Sequence, residues 1–355
     1  MSTVLQSPPT LGPAVEVRPA LPRLAPWAIA GVVAAVLAAL FLLTDLGGRA
    51  IFVVLFVPLF VAALTAVSAR VEGRRRATDR LVTALVYGCF ALALLPLVSV
   101  LGTTVVRGVG RLDLEFLTHS MNGITSRNPG GGAYHAMVGT VQQVGLATVM
   151  AVPIGLLTAI YLVEYGRGRL ARAVTFFVDV MTGVPSIVAG LFIYTLFIFL
   201  LDFTYAGIFG ALALAILMLP VVVRSAEEML RLVPNDLREA SLALGVPRWR
   251  TILKIVVPTA FGGIITGIML AIARVTGETA PLLLTVFNTD VINFNPFSGP
   301  QIALPQYVFN EIGKGLRTSQ PRVWAGALTL ILIVMLLNLA ARLIARWKAP
   351  ARTSR

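Results

Sequence analysis

Three short stretches carry the polar residues that could act inside an otherwise apolar chain. In Arg274-Val-Thr-Gly277-Glu278-Thr279-Ala280-Pro281, Arg274 lies near the middle of an apolar run. Placing an arginine there costs about 2.5–3.5 kcal/mol on insertion scales. A guanidinium suits an anion in such a place, because it keeps its charge when desolvated and offers a planar fork of donors. Glu278 is four residues on and so lies on the same helix face as Arg274. The pair then either neutralises itself between helices or marks an ion path. Pro281 cannot donate to the carbonyl of Gly277 and invites a kink. The second stretch holds Asp179 and Gly183-Val-Pro185-Ser186-Ile-Val-Ala-Gly190. Gly183 and Pro185 interrupt a helix, and Ser186 opens its second half. A half-helix N-terminus is a ready anion site; a kink that lets helices approach closely reads from the same letters. The third is Gln142-Gln143, where adjacent side chains diverge on a helix, so at most one faces a pathway and hydrogen bonding between helices is expected. The candidate pathway residues are Arg274, Glu278, Thr279, Ser186 and Gln142. The candidate helix breaks are Gly183, Pro185 and Pro281.

Nothing in the sequence supports catalysis. There is no G-x-x-x-x-G-K-[ST] phosphate loop, no H-E-x-x-H, and no Ser/His/Asp or Cys/His set. Cys89 is the single cysteine and lies in an apolar run, so neither a disulfide framework nor a cysteine metal site is expected. His119 and His135 share one loop without zinc-ligand spacing, and both are expected to be solvated.

The elements that must position these residues are membrane spans. Hydrophobic residues make up 57% of the chain and charged residues 13%, with mean hydropathy +0.87. Soluble domains carry about 25% charged residues. The formal charge of +13 sits in short loops between apolar runs, which is a topology signal rather than a nucleic-acid footprint. Residues 1–26 are proline-rich and are expected to be a disordered cytoplasmic tail. Apolar runs follow at 27–43 and 50–67, an N-terminal hairpin over 27–69. Further runs lie at 81–101, 137–163, 174–200, 206–223, 259–287 and 323–345. The cluster Arg70, Arg74, Arg75, Arg76 and Arg80 fixes its loop in the cytoplasm. Eight spans then alternate, with external loops at 102–136 and 288–322 and a flexible tip at Asn128–Gly132. Both termini fall inside, the last as a basic tail over 348–355.

The longest polar passage in the second half is Glu239–Pro258, EASLALGVPRWRTILKIVVP, within a cytoplasmic loop over 224–258. Asp236 with Glu239 reads as a capping box, Gly245 as the left-handed end of that helix, and Pro247 as the first turn of the next. There Ile252, Leu253, Val256 and Val257 form an apolar stripe. Two short helices and a tight turn are expected between two spans. A DNA-binding helix-turn-helix fits the letters, but the second helix is tethered to the bilayer within a few residues and cannot enter a groove.

This passage resembles the EAA loop of ABC importer permeases. Glu239, Ala240, Gly245, Ile255 and Pro258 fall at the signature spacings, with Ser241 for the second Ala and Val257 for the Leu. The resemblance implies that Glu239, Ala240, Ser241, Gly245, Ile255 and Pro258 form a coupling loop for a cytoplasmic ATPase.

Together with RVTGETAP (274–281), GVPSIV (183–188) and YLVEY (161–165), the chain from about Arg74 to Trp347 is similar to PstA-type permease subunits of bacterial phosphate importers. That implies an all-α polytopic membrane protein with a six-span permease core over 70–347. The hairpin 27–69 has no family counterpart. It also implies a homologous permease subunit (PstC type), an ATPase dimer (PstB type) and an external phosphate-binding protein (PstS type). The chain would sit among lipid in the bacterial cytoplasmic membrane without nucleic acid. It would bind no cofactor or metal itself, with ATP and Mg on the ATPase. A permease for another oxyanion, such as molybdate or sulfate, or a membrane sensor or scaffold, remains open on these residues.

Overall fold

The computed structural model describes residues 20–44, 49–125 and 127–348. Most of the proline-rich tail and the basic residues after 348 lie outside the described residues. Two compact units divide the chain, Met1–Val100 and Leu101–Arg355.

In the first unit, α1 (Ala25–Leu43) is apolar throughout, α2 (Arg49–Val71) is apolar between its terminal turns apart from Thr65, and α3 (Arg74–Gly108) begins here and runs across the division. At 35 residues α3 is about 52 Å long, well over the roughly 30 Å of a bilayer core. The arginine cluster expected in a loop is therefore mostly helical, with only Glu72 and Gly73 between α2 and α3. Glu72 is clamped there. It accepts from Arg80 Nε and Nη2 at 2.8 and 2.9 Å, from Ser68 Oγ at 2.7 Å and from the Leu21 N–H at 2.7 Å. Arg80 above all, then Ser68 and the Leu21 amide, pull its carboxyl down to about 2.

The second unit is built around α8 (Gly207–Arg231), whose most apolar window is 61% buried, against 22% or less for the other candidate spans. Small residues make this position habitable, because they let neighbouring backbones come close. A Cβ on Gly155 would stand 2.7 Å from Val222 of α8, and one on Gly267 would stand 2.4 Å from Ser225. Around α8 lie α5 (Tyr134–Ile160, prolonged by a π-helical turn Tyr161–Tyr165), α6 (Gly168–Thr182), α7 (Ser186–Ile193, prolonged by Tyr194–Leu200), α11 (Val257–Thr276) and α12 (Ala280–Thr285). Val144, Ala151, Leu214, Met218, Ala271 and Leu282 form the heart of their shared core. At one end, α4 (Leu114–Thr118), α13 (Leu304–Gly313) and α14 (Gln320–Lys348) close over a second core of Phe116, Met121, Ile302 and Tyr307. At the other, a third core of Ala159, Leu230, Val233 and Val256 lies where α9 (Asn235–Ala243) and α10 (Arg248–Thr251) connect α8 to α11.

Among the described residues, seven helices are long and apolar enough to cross a membrane, or eight if α6 and α7 count as one broken span. That pair bends by 105°, so 174–200 is not one straight crossing. The run 259–287 is also divided, because α11 stops at Thr276 and α12 starts at Ala280.

Two loop expectations are corrected. The Asn128–Gly132 tip is pinned rather than free. Arg322 Nη1 donates to the carbonyls of Asn128 and Gly130 at 2.7 and 3.0 Å, and Arg111 Nη2 to that of Gly131 at 2.8 Å. Arg322 is fully buried and meets Glu311 at 2.8 Å. His135 is buried, because α5 starts one residue before it and turns its ring edge-on to Tyr307. His119 is exposed, as expected.

Candidate coupling and translocation site

The coupling passage folds around one turn. Helix α9 starts at Asn235 behind Pro234, without a side-chain cap. Asp236 therefore sits in the first turn, where its charge meets the positive helix end instead of closing a box with Glu239. The end of α9 has the paired bonds of a Schellman motif: Val246 N–H to Ser241 O at 3.2 Å, and Gly245 N–H to Leu242 O at 2.9 Å. Gly245 takes φ +76°, and a Cβ there would meet nothing within 4 Å. The demand for glycine is thus purely conformational.

The second helix is not separate. α10 passes through a π-helical turn, Ile252–Val256, directly into α11, giving one helical path from Arg248 to Thr276. Pro258 stays helical because it lies in the first turn of α11. The wider turn also rotates the expected stripe. Ile252 and Val256 are buried, Val257 packs against them, and Leu253 points outward.

Glu239, Ala240, Gly245 and Pro258 are exposed, and Ile255 is half-buried. Leu242, Leu244 and Trp249 are exposed beside them. Ser241 faces inward, its hydroxyl 2.8 Å from that of Thr251, and latches α9 to α10. Behind the exposed face, Arg238 Nε donates to Glu164 Oε1 at 3.0 Å, and its Nη2 and Nη1 reach Leu230 O and Val233 O.

The membrane-embedded candidates fall into two groups. The two helix breaks come together: a Cβ on Gly190 of α7 would stand 2.5 Å from Pro281 Cα of α12. Only glycine admits that approach, which joins the segment opened by Ser186 to the one opened by Thr279 and Pro281. Ser186, Thr279 and Glu278 are half-buried. Arg274 is exposed in the last turn of α11, and among the described residues its side chain makes no hydrogen bond or ion pair. Glu278 lies beyond the helix end, since Gly277 caps α11. The shared-face reading of Arg274 and Glu278 is therefore overturned by the break that Pro281 was expected to make.

Gln142 stands apart from those breaks. It donates through Nε2 to Phe294 O at 2.8 Å and accepts from Gln301 Nε2, while Gln143 Nε2 donates to Gln301 Oε1 at 3.1 Å. Both glutamines thus hold the segment 286–303. Asp179 pairs with Arg224 of α8, whose Nη1 also donates to the buried Glu227 at 2.7 Å. Sequence reasoning missed Gln301, Thr251, Arg224, Arg238 and Arg248. Thr251 meets Ser241 across the turn, the others have partners 45 to 159 residues away, and only the presence of polar residues between apolar runs hints at them.

Residues 151–352 match the family model for the binding-protein-dependent transport system inner membrane component. The phosphate transport system permease protein PstA 1 of Mycobacterium tuberculosis (strain CDC 1551 / Oshkosh) is 50% identical over 272 residues, covering 76% of this chain and 90% of the relative. PstA of Pasteurella multocida (strain Pm70) is 38% identical over 270 residues, covering 76% of this chain and 95% of the relative. A chain of a bacterial ABC transporter that imports the acidic polysaccharide alginate shares the fold, with TM-score 0.50 and 14% identity over 77% of this chain and 99% of that one.

Proposed function

This chain belongs to the binding-protein-dependent transport system inner membrane component family, and from that premise we propose that it is a PstA-type permease subunit that carries inorganic phosphate inward at the expense of ATP. The observation that carries the reading is identity of 50% and 38%, across almost the whole of relatives named as phosphate transport permeases. As a member of that family it is a multi-pass inner-membrane protein. Its cytoplasmic ATPase dimer (PstB type) holds ATP and Mg and docks on Glu239, Ala240, Gly245 and the exposed Leu244 and Trp249. A homologous permease (PstC type) completes the pathway, and an external phosphate-binding protein (PstS type) delivers substrate. Both termini face the cytoplasm, as the arginine-rich α2–α3 junction directs.

In this reading the two helix breaks form the moving part. Phosphate near neutral pH carries between one and two negative charges, so it needs a cation or helix N-termini within the membrane. Arg274 supplies a guanidinium that no side chain or carbonyl pairs among the described residues. Ser186 opens a half-helix packed against the second break through Gly190 and Pro281. ATP-driven movement of the coupling loop reaches Arg274 directly, because Arg248–Thr276 is one helical path. The test is made in cells lacking this chain, supplied with the full chain or with none. ATP-dependent phosphate uptake returns only with the chain. Uptake that persists without it would make the chain a sensor or scaffold instead.

A further inference from the structure

Behind the coupling loop lies a buried glutamate, Glu164, that two arginines reach from different helices. Glu164 is 6% exposed and shares a small cavity lining with Arg238, Leu242, Arg248, Thr251 and Ile252. A carboxylate buried there is costly unless charge-paired and hydrogen-bonded. Arg238, from α9, meets it through Nε at 3.0 Å. The same guanidinium donates to Leu230 O at 2.9 Å, to Val233 O at 2.5 Å and to Asn235 Oδ1 at 3.1 Å. One side chain therefore ties the end of α5, the end of α8 and the start of α9. A second arginine reinforces the joint from α10. Arg248 Nη2 donates to the Glu164 carbonyl, and its guanidinium lies 5.1 Å from the centre of the Tyr165 ring. The π-helical turn Tyr161–Tyr165 ends α5 at this point. Such wide turns recur where function needs a helix reshaped.

We propose that Glu164 is a positioning residue: gripped by Arg238, it locks the coupling helix α9 to the end of α5, so that the two travel as one body when the ATPase turns over. The proposal rests on the permease reading above and adds a route to it. From Glu164 to Gln142, α5 runs about 33 Å at 1.5 Å per residue. At that far end Gln142 and Gln143 hold Gln301 and the segment 286–303. Movement received at α9 thus reaches both ends of the unit, by way of α5 as well as α11. A purely fold-holding ion pair would stabilise the unit without making α9 and α5 inseparable during turnover.

The test uses the full complex in lipid vesicles, with Cys89→Ser to remove the native thiol and spin labels at Asp236→Cys on α9 and Leu157→Cys on α5. Both sites are exposed. Inter-label distance is measured without nucleotide and with ATP plus vanadate. The expected result is one distance in both states for the otherwise native chain, and a shifted or broadened distribution under ATP and vanadate in Glu164→Gln. Phosphate moved per ATP hydrolysed falls in Glu164→Gln by at least about fivefold, the low end of coupling between sites, measured well below that variant's own unfolding midpoint because breaking a buried pair also costs stability. A native chain whose distance changes between the two states overturns the proposal. So does a Glu164→Gln complex with normal phosphate moved per ATP. A native complex that hydrolyses ATP but moves no phosphate would fail the permease reading instead; the label distance would still decide the brace.

Discussion

Replacing Gly245 isolates the coupling turn from everything around it. The residue takes φ +76°, and open space surrounds the site of a Cβ. No clash contributes, so the penalty is that of a left-handed conformation alone, about 1–2 kcal/mol for an L-residue. Asn tolerates that region best, and a β-branched residue worst. If the ATPase recognises α9 only with its Schellman turn intact, the penalty passes into docking. The upper bound is then about a 5- to 30-fold loss of affinity for Gly245→Val. Gly245→Ala should fall between, and Gly245→Asn close to native. The spans insert normally, because the turn lies outside every apolar run. The assay is titration of purified ATPase onto the chain in vesicles, with membrane insertion checked by protease protection. Equal affinity for the Val and Asn variants would refute the reasoning, since no steric term is available to hide the backbone cost.

Arg274→Gln should abolish ATP-dependent phosphate uptake while the complex still co-purifies; wild-type uptake would remove Arg274 from the pathway, and failed assembly would make it structural. Glu278→Gln should lose less, because Glu278 lies past the helix end and does not pair with Arg274 within α11. Arg322→Ala removes the fully buried partner of the Glu311 carboxylate and leaves it to the half-exposed Lys314; breaking that buried pair should cost up to about 3–5 kcal/mol, read as a lowered thermal unfolding midpoint. Lys314→Ala, whose side chain is 31% exposed, should cost under about 1 kcal/mol. Equal effects would refute the burial reasoning. Deleting residues 2–67 should leave uptake largely intact; complete loss with the truncated chain present in the membrane would make the hairpin integral.

The sequence makes some features plain because their causes are local. Apolar runs of about twenty residues have few outcomes besides spans. Gly245 announces its conformation because few other residues adopt it. Gly183-Val-Pro185 and Pro281 break helices by their own covalent structure, wherever the chain carries them. The misses have non-local causes. Glu164 lies 74 residues from Arg238 and Gln301 lies 159 from Gln142, and no spacing rule joins such pairs. His135 is buried because α5 starts at Tyr134 behind Ala133, without a side-chain cap to announce that start in the sequence. Glu278 was placed on the face of Arg274 by helical periodicity, although Pro281 already argued for a break there. Two local rules conflicted, and the one that removes a hydrogen bond prevailed.

Phosphate transfer by the purified complex tests the central claim most directly. The full chain is placed in vesicles with a PstC-type permease, a PstB-type ATPase and a PstS-type binding protein, and labelled phosphate is followed with and without ATP. ATP-dependent phosphate accumulation that excess molybdate and sulfate leave unchanged is the expected result. Accumulation of molybdate or sulfate in place of phosphate, or no ATP-dependent accumulation in a complex that hydrolyses ATP, would contradict it.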